Sequence, residues 1–253
     1  MEEAYLVAAA VIISAIMSLE AYKLGCLTRD GAVASFLVGA FVGVFASINA
    51  FFLLAVFTIA GFFATMRDIG RKKAEGLQEG KSGERNWKNV AGVGIPPCLI
   101  VALAALGIID QTMFAIMFVS TITVAGADTI ASEIGVRDNR VYMITTGKRV
   151  EPGINGGVSP LGTATSTVAS LLIAILGWGV VTESLGWMLL IPFAMGVLGN
   201  LLDSVFGAVL ENPGYISKYT NNCSTALVGA VVGLAIYLVL RYHYILVRYP
   251  QSW

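Results

Sequence analysis

Long apolar stretches follow one another along almost the whole chain of 253 residues. A helix that crosses a bilayer needs roughly 20 mostly apolar residues. Eight such stretches are predicted, over residues 4–22, 31–47, 49–66, 90–109, 113–132, 158–181, 187–209 and 224–240. A water-soluble fold is excluded, because soluble domains carry about 25% charged residues and this chain carries 13%. The sequence therefore predicts an all-α, polytopic transmembrane helical bundle that forms one integral membrane domain over residues 1–253.

Basic residues are concentrated in four connections between the predicted spans. Lys and Arg together number two in 23–30, seven in 67–89, four in 133–157 and one in 210–223, which is 14 of the 16 in the chain. With eight spans, all four connections lie on one side, and the positive-inside rule makes that side cytoplasmic. We therefore expect both termini to be external, in a plasma or inner membrane.

Two carboxylates end the predicted fifth span, and ionisable residues in membrane helices indicate function because they are costly. Successive helical residues are about 100° apart, so Asp128 and Ser132 share a face, while Glu133 neighbours Thr129. Carboxylates beside hydroxyls suit a hard cation, and Mg²⁺ prefers one or two carboxylates with waters and substrate phosphates. A hydrogen-bonded acid at a helix end is the structural alternative.

A second polar group interrupts the predicted seventh span. Asn200, Asp203 and Ser204 are spaced by three and four residues, which places their side chains on one helical stripe. This stripe suits a cation or a hydroxyl substrate. Hydrogen bonding between helices is the alternative, and it explains Asn200 and Ser204 better than it explains a carboxylate. The predicted metal ligands are Asp128, Glu133, Asn200 and Asp203.

A basic, glycine-rich loop joins the predicted fifth and sixth spans. Lys148 and Arg149 offer a point charge and a planar fork, the two ways in which proteins bind phosphate. The run 155–157 leads into the sixth span, and exposed N–H groups at a helix start attract anions. The positive-inside rule alone would also place basic residues here. The predicted phosphate-binding residues of this loop are Thr145, Thr146, Lys148, Arg149, Asn155, Gly156 and Gly157.

Arg85 and Trp87 precede the predicted fourth span. Anchoring at the membrane interface by Trp87 and the neighbouring basic residues is one explanation. Contact with a nucleotide or a phosphate is the other, and on this reading Arg85 joins the predicted phosphate-binding residues.

The polar motifs resemble a known family in order and spacing. The motifs at 127–135, 144–159 and 200–208 resemble those of an integral membrane family described as a domain of unknown function, which includes the phytyl-phosphate kinases of plants and cyanobacteria. Segments 25–32 and 85–89 are also similar to it, so the resemblance covers most of the chain. More distantly, the Asp-Thr-x-Ala, Lys-Arg, Gly-Gly and Asp-Ser elements are similar to those of dolichol kinases and CDP-diacylglycerol synthases.

The resemblance implies phosphoryl transfer from CTP or another NTP to an isoprenyl monophosphate, which gives the diphosphate. Carried over by position, Asp128 and Asp203 would hold Mg²⁺ and act in catalysis together with Lys148. Lys148, Arg149 and the backbone of 155–157 would bind phosphates. The segment 221–225 departs from the family pattern, so the resemblance assigns it no role.

Related alternatives are a polyprenol kinase and a CDP-lipid cytidylyltransferase, and a membrane transporter is an alternative of a different class. Transporter sites lie near the bilayer midplane, commonly within inverted repeats, whereas the polar groups here lie towards one side. The expected partners are an isoprenyl-phosphate lipid and the bilayer. No nucleic acid is expected as a partner, and the sequence leaves an oligomer open.

Overall fold

A computed structural model describes residues 2–67, 69–70, 74 and 83–248. In these ranges the chain folds into eight long helices, and the all-α prediction is confirmed. They are α1 (Glu2–Lys23), α2 (Arg29–Phe45), α3 (Ile48–Met66), α4 (Trp87–Ala105), α5 (Gln111–Gly135), α6 (Pro160–Thr182), α7 (Leu190–Phe206) and α8 (Lys218–Arg248). Of the basic residues in the predicted loop 67–89, Arg71, Lys72, Lys73 and Lys81 lie outside the described residues.

Four shorter elements accompany the helices in the described part of the chain. A 3₁₀ turn (Trp187–Leu189) precedes α7, and a π-helical turn (Gly207–Glu211) extends it. Between α5 and α6, strands β1 (Tyr142–Met143) and β2 (Gly157–Val158) pair antiparallel. These turns and strands all lie close to helix ends.

Seven helices of the described ranges are long and apolar enough to cross a membrane. The exception is α2, whose 17 residues are at the lower limit of the range of about 17–25 for a spanning helix. Its length is fixed by Thr28, whose side chain accepts the Gly31 N–H at its start, and by Ala46 at its end. The predicted count of eight spans is thus one more than the number of helices that meet the length requirement.

The last helix is longer than the sequence predicted. Instead of residues 224–240 it covers Lys218–Arg248, so Lys218 and Asn221 belong to a helix and not to the predicted loop 210–223. Ser217 begins this helix, because its hydroxyl accepts the Thr220 N–H at 3.2 Å and its carbonyl accepts the Asn221 N–H at 2.9 Å. Hydropathy missed this start because the first turns of α8 are polar.

Helix α5 lies at the centre of the bundle. It packs against α3, α4, α6, α7 and α8, and 83% of its spanning window is buried, against at most 39% for the other spanning helices. A helix that is apolar all round is buried on every side, and Phe114 and Phe118 stack within its core face at 5.2 Å. The carboxylates near its end therefore lie inside the protein.

The connections α1–α2, α3–α4, α5–α6 and α7–α8 meet at one end of the bundle, which we call the polar end. Leu27 forms a β-bridge with Arg85 there, and Arg85 pairs with Glu133. At the opposite end, Asn49 Nδ2 donates to Glu183 Oε1 at 3.0 Å, which links the start of α3 to the end of α6. The described parts of the four basic connections are therefore grouped together. That the polar end faces the cytoplasm, with both termini external, stays a prediction.

Candidate active site at the polar end

A cavity of about 200 Å³, the polar cavity, opens among α5, α6, α7, the start of α8 and the segment 153–159. Its wall carries carboxylates, amides, hydroxyls and one amine. These side chains are Asp128, Ser132, Glu133, Asn155, Ser159, Thr163, Asn200, Asp203, Ser204, Glu211 and Lys218. With four acidic residues against one basic residue, the lining attracts cations.

The centre of the polar cavity is a pair of facing carboxylates. Asn200 Nδ2 donates to Asp128 Oδ1 at 3.2 Å, and the side chain of Asp128 interacts directly with that of Asp203. Two adjacent carboxylates repel each other unless a proton or a cation lies between them. The structure thus brings three of the four predicted metal ligands together, from α5 and from α7.

Residues that the sequence did not assign to the site surround Asp203. Asn221 is 1% exposed, and its Nδ2 donates to the Asp203 carbonyl at 3.1 Å and to Glu211 Oε2 at 3.3 Å. Thr225 Oγ1 donates to Asp203 Oδ1 at 3.5 Å. The resemblance assigned 221–225 no role, but the structure places Asn221 and Thr225 beside Asp203, because the polar first turns of α8 pack directly against α7.

The glycine-rich loop is held against the end of α7. Asn155 Nδ2 donates to Glu211 Oε1 at 2.8 Å. Gly156 has a φ of +80°, and a Cβ on it would lie 2.6 Å from the Ala208 Cβ. A Cβ on Gly207 would similarly lie 3.0 Å from the Gly156 nitrogen. Asn155, Gly156 and Gly157 line the polar cavity. Glycine is needed at 156 and 207 because the two backbones approach each other closely there.

The start of α6 is capped by side chains of the protein itself. Gly162 N–H donates to Ser159 Oγ at 3.0 Å, and Leu161 N–H donates to Asp138 Oδ2 at 3.2 Å. The N–H groups of Leu161 and Gly162 therefore do not form the anion site that was expected at this helix start. Asp138 also accepts from Arg140 Nε at 3.0 Å, and these hydrogen bonds to Arg140 lower the pKa of the Asp138 carboxyl to about 2.

Four predicted phosphate-binding residues lie outside the polar cavity. Tyr142 forms a bridge with Arg149, and Gly147, with a φ of +65°, turns the chain between them. This hairpin leaves its remaining polar side chains exposed, and Arg149 Nη2 donates to the Asn139 carbonyl at 3.2 Å. The residues concerned are Thr145, Thr146, Lys148 and Arg149. The structure therefore does not bring Lys148 to the carboxylate pair, as its predicted catalytic role would require.

Arg85 lies beside the remaining predicted metal ligand. Its Nη2 is 3.8 Å from Glu133 Oε1 and donates to Thr65 Oγ1 at 2.9 Å. Its backbone is fixed as well, since Arg85 N–H donates to the Cys26 carbonyl at 2.9 Å and Thr28 N–H donates to the Arg85 carbonyl at 3.1 Å. Among the predicted phosphate-binding cations, Arg85 is therefore the one placed next to the polar cavity.

The donor set suits Mg²⁺ with phosphate better than a metal enclosed by protein. Among the described residues, no three His, Cys, Asp or Glu side chains cluster closely enough to hold a metal ion. Mg²⁺ uses one or two carboxylates and completes its shell with waters and substrate phosphates. Asn221 Oδ1 is buried and accepts no hydrogen bond from the described residues. Asp128 and Asp203, supported by Asn200, are thus the residues that could hold such an ion.

A buried central helix and a carboxylate-lined cavity at one end define an integral membrane protein with a candidate cation site. Residues 12–236 match the family described as integral membrane protein DUF92, and the chain belongs to this family. This confirms the resemblance first noted in the polar motifs.

The chain is similar to membrane proteins from archaea, cyanobacteria and plants. It is 30% identical over 231 residues to an uncharacterized membrane protein of Methanocaldococcus jannaschii, covering 91% of this chain and 94% of the relative. It is 33% identical over 186 residues to an uncharacterized membrane protein of Synechocystis, covering 70% and 71%. With Protein VTE6, chloroplastic, of Arabidopsis thaliana it shares 28% identity over 234 residues, covering 90% and 67%. No solved structure matches.

Proposed function

We propose that the chain is a membrane phosphotransferase that moves the γ-phosphoryl group of CTP or another NTP to an isoprenyl monophosphate such as phytyl or geranylgeranyl phosphate. An oxygen of the lipid phosphate forms a bond to the γ-phosphorus, and the bond from that phosphorus to the β,γ-bridging oxygen breaks. The products are the lipid diphosphate and the nucleoside diphosphate. The observation that carries this proposal is that Asp128 and Asp203 line one cavity at the polar end, with Asn200 donating to Asp128.

Phosphoryl transfer is achieved chiefly by positioning and by electrostatic stabilisation, which this cavity is suited to provide. Mg²⁺, when bound, would supply positive charge that offsets the negative charge of the phosphates. Asp128 and Asp203 would hold the ion, and Asn200 fixes the orientation of the Asp128 carboxylate. Lys218, the basic residue of the lining, is suited to contact a phosphate oxygen. Because the lining carries a surplus of negative charge, a nucleotide would enter together with its metal ion.

The size of the polar cavity indicates which part of the nucleotide it could hold. Its volume of about 200 Å³ lies below the range of about 300–1,000 Å³ for sites that enclose a drug-sized ligand. The cavity therefore suits the cation and the phosphate chain, and the base and the ribose would remain at its mouth. The exposed hairpin with Lys148 and Arg149 lies at the same end of the bundle and is suited to contact those outer parts.

The location favours a lipid substrate with a charged head. A prenyl phosphate keeps its chain in the bilayer and its phosphate at the interface, and the nucleotide arrives from water. Both reach the ends of the helices, where the polar cavity lies. The resemblance to phytyl-phosphate kinases supports an isoprenyl chain, and the relatives include a chloroplast protein.

The direct test is a labelled-nucleotide assay with purified protein in nanodiscs. The γ-labelled NTP, Mg²⁺ and a panel of prenols and prenyl phosphates are supplied, and the lipid products are separated. We expect labelled geranylgeranyl or phytyl diphosphate, formed only when Mg²⁺ is present. Glu151→Gln is the matched control, because Glu151 is an exposed carboxylate at the same end that lies outside the polar cavity.

The products also separate the related enzymes. A labelled monophosphate made from a prenol would identify a polyprenol kinase, and a CDP-lipid with release of pyrophosphate would identify a cytidylyltransferase. Either result, or flux of a solute across liposomes without nucleotide hydrolysis, would contradict the proposed reaction.

A further inference from the structure

A second, larger cavity lies among the first four helices. It has a volume of about 310 Å³ and is lined by α1, α2, α3, α4 and the segments around Cys26 and Arg85. The α3 residues in its wall run from Phe51 to Thr65, which is about 21 Å along a helix at 1.5 Å per residue. We call it the apolar cavity. It is an elongated slot that runs along the helices towards the polar end.

The wall of this cavity is apolar along most of its length. Phe51, Leu54 and Phe57 supply large side chains. Three of the hydroxyl groups in the wall donate to backbone carbonyls. Ser14 Oγ donates to the Phe36 carbonyl at 3.1 Å, and Thr58 Oγ1 donates to the Leu54 carbonyl at 2.8 Å. Such a lining suits a hydrocarbon chain and offers little to a polar solute.

The charged residues that line the apolar cavity lie near the polar end of the bundle. Its two charged lining residues are Glu20, which is paired with Lys23 at 2.8 Å, and Arg85. The contacts of Arg85 with Thr65 and Glu133 both use Nη2. A guanidinium carries five N–H donors in a planar fork, so it is suited to bind a phosphate while it keeps these contacts. The slot therefore matches an apolar chain that ends in an anionic head.

Arg85 also joins the two cavities. Glu133, its partner at 3.8 Å, lines the polar cavity. Glu133 follows Asp128 by five residues, about 8 Å along the axis of α5. Because Glu133, Asp128 and Asp203 line the same cavity, an anionic head bound at Arg85 would lie at the edge of the cavity that contains the carboxylate pair.

We infer that the apolar cavity holds the hydrocarbon chain of the lipid substrate, with Arg85 binding the lipid phosphate and presenting it to the polar cavity. This inference rests on the proposed phosphotransferase function. The length of the slot then determines which prenyl chains are accepted, and side chains on its wall set the limit.

The test uses geranylgeranyl phosphate that carries a photoreactive group at the far end of its chain. The protein is kept in nanodiscs, nucleotide is omitted, and the labelled peptides are mapped by mass spectrometry. We expect label on the deep part of the wall, near Ser14 and Phe51, and competition by unlabelled geranylgeranyl phosphate but not by phospholipid.

Two variants fill the slot from different helices. Ala55 lies ten residues from Thr65 on α3, about 15 Å from the polar end of the wall, and Ser35 lines the slot from α2. We expect Ala55→Phe to lower deep labelling and turnover of geranylgeranyl phosphate by at least about tenfold, while the shorter geranyl phosphate is still used. Ser35→Leu, a smaller change, should act in the same direction if Ala55→Phe fails to fold. Ala235→Phe, on the exposed side of α8, is the matched control and should leave both readouts unchanged.

The outcomes separate this inference from the proposed function. Deep labelling without phosphoryl transfer would support the slot and overturn the phosphotransferase. Phosphoryl transfer with labels on lipid-facing residues, and with equal loss for both chain lengths in Ala55→Phe, would overturn the slot and leave the reaction standing. Labelling that phospholipid abolishes would mean bulk lipid between helices and would also overturn the slot.

Discussion

The polar and the apolar cavity lie in the two halves of one bundle, and they are built in different ways. In α5–α8, carboxylates and amides face inward, and each is held by a neighbour, as Asn200 holds Asp128. In α1–α4 most of the wall is apolar, and the hydroxyls of Ser14 and Thr58 donate to backbone carbonyls. The polar cavity of α5–α8 can therefore hold a charged group in a defined position. The apolar cavity of α1–α4 can hold a hydrocarbon chain without hydrogen bonds to it. The ion pair between Arg85 and Glu133 joins them.

The central helix explains why this separation persists. Because α5 is buried on nearly every side, Asp128 and Glu133 face the polar cavity between helices. The helices of the first half each keep a lipid-facing side, and residues such as Phe63 remain exposed. If the proposed function is correct, the chemistry lies in the half that contains the buried central helix, and the selection of chain length lies in the half that contains the apolar cavity.

The largest effect is expected at the carboxylate pair. Asp203→Asn keeps the size of the side chain but removes a charge that would hold the cation, so we expect transfer of the labelled phosphoryl group to fall by about 10³-fold. Asp128→Asn should behave similarly. If both variants keep the activity of Glu151→Gln, the polar cavity is not the active site.

A smaller effect is expected for the amide that orients Asp128. Asn200→Ala removes the hydrogen bond to Asp128 Oδ1, and loss of such a supporting contact costs about 10–100-fold in metal affinity or activity. The measurement is activity against Mg²⁺ concentration, and excess Mg²⁺ should restore part of the loss. Loss of activity that no Mg²⁺ concentration relieves would contradict a supporting role.

Arg85 lies between the two cavities, and Arg85→Gln tests whether it binds the lipid phosphate or the nucleotide. A charge-assisted contact with the lipid phosphate is lost, so we expect KM for prenyl phosphate to rise about tenfold, with little change in KM for the nucleotide. Arg85→Lys should recover part of the loss, because it keeps the charge but not the fork. A rise in the nucleotide KM alone would assign Arg85 to the nucleotide instead.

The hairpin should matter least to turnover. Lys148 is exposed and lies outside the polar cavity, and an exposed charge contributes at most about 1 kcal/mol. Lys148→Ala should therefore lower kcat/KM by no more than about fivefold, through the nucleotide KM. A fall as large as that of Asp203→Asn would restore the catalytic role predicted from the sequence.

Asp138 gives a test of stability that does not depend on the reaction. Its pKa is lowered from 3.8 to about 2 by Arg140, so its stabilising contribution is fully present above about pH 4 and is lost as the pH falls through 2. We expect Asp138→Asn to lower the midpoint of thermal unfolding by a constant amount between pH 5 and 7. The difference should shrink below pH 4, and a difference that persists at pH 2 would contradict this assignment.

Hydropathy was sufficient to predict most of the helices, and charge singled out Asp128 and Asp203, which the structure places in one cavity. An ionisable residue among apolar ones is conspicuous, and its cost in a membrane points to function. Asn221 and Thr225 were missed because the polar start of α8 resembles a loop, and Glu211 because it follows the last apolar turn of α7. Lys148 was misplaced because a basic pair shows charge but not the turn at Gly147 that carries it away from the cavity.

The apolar cavity could not be predicted at all. Its wall comes from four helices, and each contributes residues such as Ala55 or Val93 that are indistinguishable in sequence from ordinary lipid-facing or packing residues. Only the packing of the helices leaves the slot between them.

The claim that the polar cavity is a cation site is tested most directly by metal binding. Mn²⁺ favours the same oxygen ligands as Mg²⁺, and electron paramagnetic resonance measures the free ion as it is titrated into protein with a non-hydrolysable CTP analogue. We expect saturable binding by the wild-type protein and by Glu151→Gln, and loss of that binding in the variant that combines Asp128→Asn with Asp203→Asn. Undiminished Mn²⁺ binding in that folded double variant would contradict the assignment.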